Sequence, residues 1–143
     1  MNKFKYKFDS VLNFKDNIKK QAMKDVAFVG KQIEEFSIKR ETLINELKEC
    51  KLNNNKSSIK ISELQFLESH IYYLKKKIEF VESEIARLKL LLKLKQNELI
   101  DKTKESKIFH KLKETKLIQF KKEENKSEIM MLDEFAMQKS NRG

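Results

Sequence analysis

Two histidines, one cysteine and a few adjacent carboxylates are the side chains here with types suited to catalysis or metal binding. Cys50 and His70 could meet across a hairpin turn as nucleophile and base, because a thiol reacts as its thiolate and a nearby base supports that form. Cys50, however, falls on an apolar helical seam, where a small thiol ordinarily serves packing. His70 and His110 stand far apart and have no second cysteine between them, so a tetrahedral zinc site lacks ligands. Glu34-Glu35 and Glu123-Glu124 fall on solvated faces, with no pocket to raise a carboxyl pKa toward general-acid chemistry. A phosphate-cradling loop needs several glycines, and the chain has Gly30 and Gly143 alone. No catalytic residue, cofactor or metal is expected, and the chain reads as a non-enzyme.

The elements that position these groups follow from composition. The 143 residues contain no proline and no tryptophan, with 38% charged and 39% hydrophobic residues. Sheet folds need turn residues every few positions, and these are missing. Long amphipathic helices, which solvate one face and bury a narrow seam, fit the balance. The formal charge of +10 permits acidic partners such as nucleic acid, anionic lipid or an acidic protein surface, although a Lys-, Asn- and Ile-rich composition also follows from AT-biased coding. A lone Cys50 cannot form an internal disulfide and fits a reducing compartment. The longest apolar run, Leu90-Leu91-Leu92, is flanked by Lys89 and Lys93 and is far short of a membrane span. The stretch MNKFKYKFDSVLNFK has no uninterrupted apolar segment of the secretory type. A soluble cytoplasmic protein is expected.

One break stands out, Asn53-Asn54-Asn55-Lys56-Ser57-Ser58, whose side chains compete for local backbone groups and favour turns. Beyond it, Ser62 and Gln65 have capping-box spacing, and Ile61 and Phe66 the spacing of a hydrophobic staple; Ser58 is a competing cap. From Leu64 to Leu99, steps of three and four give Leu, Leu, Ile, Leu, Ile, Val, Ile, Leu, Leu, Lys95 and Leu, a coiled-coil seam sustained for about five heptads. The first half carries two shorter pieces, Phe4, Phe8, Val11, Lys15, Ile18 and Ala22, then Val26, Val29, Ile33, Phe36, Arg40, Leu43, Leu47 and Cys50. They join by a stutter beside Gly30, where either a bend or simple tolerance of glycine is expected. Lys15 and Lys95 fall on seam positions in neighbouring layers, either snorkelling out along the groove or marking a weak layer where the hairpin twists.

Two seams joined by a polar turn predict an all-α fold: an antiparallel two-helix coiled-coil hairpin, one domain over 1–143, with a longer second helix overhanging. Helix 1 is expected over about 4–52, the turn over about 53–61 and helix 2 over about 62–139. With the turn centred near 57, Leu64 should face the region of Cys50, Ile78 that of Phe36 and Leu99 that of Lys15. The Phe4-Lys5-Tyr6-Lys7-Phe8 alternation looks strand-like, but a lone strand has nothing to pair with and is taken as the fraying start of helix 1. Helix 1 runs out opposite about residue 110, leaving some 30 residues of helix 2 uncovered. This overhang ends in an apolar stripe, Ile129, Leu132, Phe135 and Ala136, with Met130, Met131 and Met137 as adaptable contacts. A single helix in water is marginal, so another molecule should cover it. Residues 1–25 and 101–143 carry 18 basic and 11 acidic groups, against 14 and 11 over 26–100, making the terminal end the better dock for an acidic surface.

Three segments, in order, resemble the FliJ family of the flagellar type III export apparatus: Phe4-Lys5-Tyr6-Lys7-Phe8-Asp9-Ser10-Val11-Leu12, Ser62-Glu63-Leu64-Gln65-Phe66-Leu67, and Glu128-Ile129-Met130-Met131-Leu132-Asp133-Glu134-Phe135-Ala136. The likeness covers essentially the whole chain. It implies a small cytoplasmic protein, peripheral at the inner face of the membrane through its partners and similar to the central stalk of rotary ATPases. Such a protein binds in and below the export ATPase ring, promotes its assembly, and contacts the export gate and export chaperones. On that reading Lys107, Lys111, Lys113, Lys116, Leu132, Asp133, Glu134 and Phe135 make the ring contact. The turn end faces the gate; there Phe66 matches a gate-contacting position, while His70 and Tyr73 occupy neighbouring ones with different residue types. The alternatives are a structural coiled-coil homodimer, a basic helical nucleic-acid binder lacking any recognised motif, and Lys-driven membrane-surface binding.

Overall fold

The computed structural model describes residues 3–54 and 60–142, which form two helices, α1 (Asp9–Asn54) and α2 (Ile61–Arg142), with no strand among the described residues. The protein is an all-α helical hairpin. Neither helix contains proline, and the Asp9 and Glu63 carboxylates stand in the first turns, where they meet the positive end of the helix dipole. Gly30 has an ordinary helical backbone and open space where a Cβ would project, so it is tolerated within a continuous α1.

The helix starts differ from expectation in an instructive way. The carbonyl of Lys60 accepts the Leu64 N–H at 2.9 Å, which places Lys60 at the cap and Ser62 inside the first turn. Ile61 and Phe66 are 78% and 74% exposed, so the capping box and staple read from the sequence are not what starts α2. Helix α1 begins at Asp9 rather than near residue 4. Phe8 caps it through a 2.8 Å bond to the Leu12 N–H, and the Tyr6 carbonyl accepts the Asp9 N–H at 3.2 Å to close a turn. Residues 3–8 therefore form a non-helical strap. At the other end α1 continues through Asn53 and Asn54; Asn55-Lys56-Ser57-Ser58 of the expected turn lie outside the described residues.

Packing divides the chain into two compact units, Gln21–Leu99 and Met1–Lys20 with Ile100–Gly143. In the first, Leu43, Leu74 and Val81 form the buried cluster, with Phe36, Leu47, Cys50, Ile78 and Ile85 packed against it. Every position of the α2 seam from Leu64 to Leu99 is at least half-buried, as the three-four spacing requires. An Arg40–Glu82 ion pair at 3.0 Å spans the two helices on the exposed flank. In the second unit Tyr6, Leu12 and Ser106 are buried. Phe8 and Val11, read as seam residues, are each 37% exposed, because the turn at Tyr6–Asp9 resets the helical phase and brings Leu12 inward instead.

Facing residues also pair further along α2 than a symmetric turn implies. Arg40 with Glu82, Asp9 with Lys113 and Asp16 with Ser106 each total 122, against the 114 expected from a turn centred near 57. Lys15 accordingly meets Glu105 at 3.1 Å rather than the Leu99 region. Counting from a turn centred near 57 therefore sets the partners too early.

Candidate functional site

In the Gln21–Leu99 unit α2 carries a row of rings beside its buried seam. Phe66, His70, Tyr73 and Lys77 recur at helical spacing. The Phe66 and His70 ring centroids lie 6.3 Å apart with planes within 5°, His70 and Tyr73 lie 6.2 Å apart, and the Lys77 ammonium sits 5.2 Å over Tyr73. Tyr72, 64% exposed, holds Lys76 in the same way at 5.6 Å. None of these rings enters the buried cluster. They form an aromatic ridge with exposed Phe66 at its N-terminal end and half-buried His70 between Phe66 and Tyr73. Cys50, by contrast, packs against the core cluster.

The other expected contact residues belong to the terminal unit. Lys107 and Lys111 are exposed one helical turn apart on a shared face. Lys113 is tied to Asp9 at 3.0 Å, and Lys116 stands beside the strap. The strap covers this stretch of α2. Tyr6 donates its hydroxyl to the Phe109 carbonyl at 3.2 Å, Phe8 meets Phe109 edge-on at 6.4 Å, and Phe4 packs on Phe120 at 5.5 Å. Own-chain contacts thus reach beyond the expected limit near 110. From residue 125 through 141 every residue is exposed. Leu132, Asp133, Glu134 and Phe135 lie here, and Ile129, Leu132, Phe135 and Ala136 keep helical spacing along one side. The uncovered apolar stripe exists, but it is shorter than the 30 residues anticipated.

A polar layer escaped the sequence reading. Ser106, 2% exposed, donates to Asp16 Oδ1 at 2.6 Å, and His110 Nε2 lies 2.9 and 3.1 Å from the two Asp16 oxygens. Three-four steps from Leu99 do arrive at Ser106, but an apolar-period count passes over serine. The Ser106 hydroxyl, and next the His110 hydrogen bond, hold the Asp16 carboxyl below its usual range; the Lys15 hydrogen bond and then the Lys102 charge do the same for Glu105. A depressed carboxylate contributes stability above its unfolded pKa, about 4, and that contribution is lost as pH falls below it. Asp16→Asn is therefore expected to lower the melting temperature at pH 7, with its gap from the parent chain closing as melts are taken toward pH 3. A gap independent of pH would contradict the assignment.

No group of three His, Cys, Asp or Glu side chains among the described residues is placed to hold a metal ion. No helix among them is long and apolar enough to cross a membrane. The described surface carries an aromatic ridge in one unit, and a lysine face with a bare apolar stripe in the other.

These features define an all-α helical-hairpin protein. The particular family follows from comparison: the model described as "Flagellar FliJ protein" matches residues 4–143, essentially the whole chain, and the chain belongs to the FliJ family. It is a component of flagellar protein export. No curated protein and no solved structure matches it.

Proposed function

We propose that this protein acts, without catalytic activity of its own, as the central stalk of the flagellar export ATPase ring. It promotes ring assembly and ATP hydrolysis, and it also contacts the cytoplasmic region of the export gate and the export chaperones. The whole chain works as one hairpin domain, cytoplasmic and peripheral at the inner face of the membrane through these partners. Nucleic acid is not among them. An asymmetric two-helix stalk inside a ring presents a different face to each subunit and so biases their conformations unequally.

The observation supporting this most is the exposed run from 125 to 141 with its stripe through Ile129, Leu132 and Phe135. An isolated helix gains little from propensity alone and is stabilised chiefly by burying an apolar face. The ring supplies that cover, making contact through Lys107, Lys111, Lys113, Lys116, Leu132, Asp133, Glu134 and Phe135. The aromatic ridge led by Phe66 serves the gate. Mixing the protein with the export ATPase tests the reading: hydrolysis and oligomer size should both rise. The stripe also suits a second copy of the chain. Light scattering over a concentration series separates the two, since a stable homodimer burying the stripe would remove the need for the ATPase.

A further inference from the structure

We propose that the groove between the strap and α2 binds an extended acidic peptide segment carrying a large apolar side chain. The proposal goes beyond the stalk reading, because the residues that form the groove are, Lys116 apart, not those assigned to the ring.

The groove encloses about 660 Å³. Its floor is aromatic: Phe4 lies tilted on Phe120, and Tyr6 is buried with its hydroxyl fixed to Phe109. Its rim is cationic, with Lys3, Lys5 and Lys7 along the strap and Lys116 on α2, against Glu123 as the one carboxylate in the lining. This follows from the alternation read in the sequence. Phe4 and Tyr6 turn toward α2, while Lys3, Lys5 and Lys7 are exposed. The backbone N–H and C=O groups of Lys3, Phe4 and Lys5 have no protein partner among the described residues. An unpaired non-helical segment of this kind is a template for a second strand.

These features together select the occupant. Main-chain groups pair with an extended peptide, carboxylates pair with the alternating lysines, and a large apolar side chain settles on the Phe4–Phe120 floor. A membrane surface fits poorly, since the strap's Phe4 and Tyr6 are turned inward and the concave face cannot meet a flat bilayer. Nucleic acid fits poorly too, since it offers no extended main chain to pair with the open N–H and C=O groups of Lys3, Phe4 and Lys5.

The test is fluorescence anisotropy with a short labelled peptide in which Glu alternates with Leu and Phe. Binding should weaken with salt, and it should weaken about tenfold or more in Lys5→Glu, where a rim cation becomes repulsive. A peptide with Gln in place of Glu should bind weakly. Phe4→Ser should also lose binding, and Lys5→Glu, a fully surface change, guards against any unfolding caused by Phe4→Ser. Hydrogen exchange should show the amides of residues 3–6 protected by the peptide. Phe135→Asp should bind the peptide normally, which keeps this result distinct from the ring contact. Unchanged binding by Lys5→Glu, no protection of the strap, or tighter binding of single-stranded DNA or phosphatidylglycerol vesicles than of the peptide would overturn the proposal.

Discussion

Phe135→Asp is expected to abolish stimulation of the export ATPase while leaving the hairpin folded. Phe135 is 71% exposed and lies in the uncovered run of α2, so its replacement removes no packing within the chain. The melting temperature should not move. Bound to a ring, the same ring would be buried, and burying a phenylalanine is worth about 1.5–3 kcal/mol. Asp forfeits that gain and adds a third carboxylate beside Asp133 and Glu134, which must be desolvated or repelled. The combined loss corresponds to a roughly hundredfold weaker complex. Phe135→Leu retains most of the apolar area and should retain most of the stimulation. Hydrolysis assays over a range of protein concentrations read both variants directly, and wild-type stimulation by Phe135→Asp would remove this residue from the contact.

The second large effect concerns stability. Leu74→Ala should cost about 2–5 kcal/mol, the usual range for a fully buried leucine. Leu74 is 1% exposed and completes the cluster with Leu43 and Val81. A two-helix interface has no third layer to close over the space left behind, so relaxation recovers little of the loss. Leu90→Ala is the control. Leu90 lies on the same helix at 70% exposure, and surface substitutions ordinarily change stability by no more than about 0.5 kcal/mol. Urea unfolding should separate the two variants clearly. Equal midpoints would mean that the seam through Leu74 is not the core.

Leu74 also illustrates what was legible in the sequence. From Leu64 to Leu99 the spacing alone finds every seam residue turned inward, because a helix held against one partner buries a narrow seam; only His70, Glu84 and Leu91, which flank it, are half-buried as well. Before Leu12 the same count fails. Phe4, Phe8 and Val11 continue the period on paper, yet the Tyr6–Asp9 turn starts the helix late, and Tyr6 and Leu12 take the interior places. A turn made by one main-chain hydrogen bond and one tyrosine hydroxyl leaves no periodic trace. The register was not readable either, since the turn residues say where the chain reverses and not which side chains pair across it. Ser106 was hidden for a different reason: its burial depends on Asp16, ninety positions away, and no local pattern announces that partner. Among the contact residues, the exposure of Leu132 and Phe135 was readable from a stripe with no facing seam. The commitment of Lys113 to Asp9 was not.

The uncovered end of α2 carries the proposed ring contact, and hydrogen exchange measured with and without the export ATPase tests that contact most directly. Alone, the amides of 125–141 should exchange far faster than those around Leu74 and Val81, as befits a helix whose apolar side faces water. With the ATPase present they should become strongly protected, and Phe135→Asp should prevent that change. Slow exchange of 125–141 in the isolated protein, or exchange unaltered by the ATPase, would contradict it.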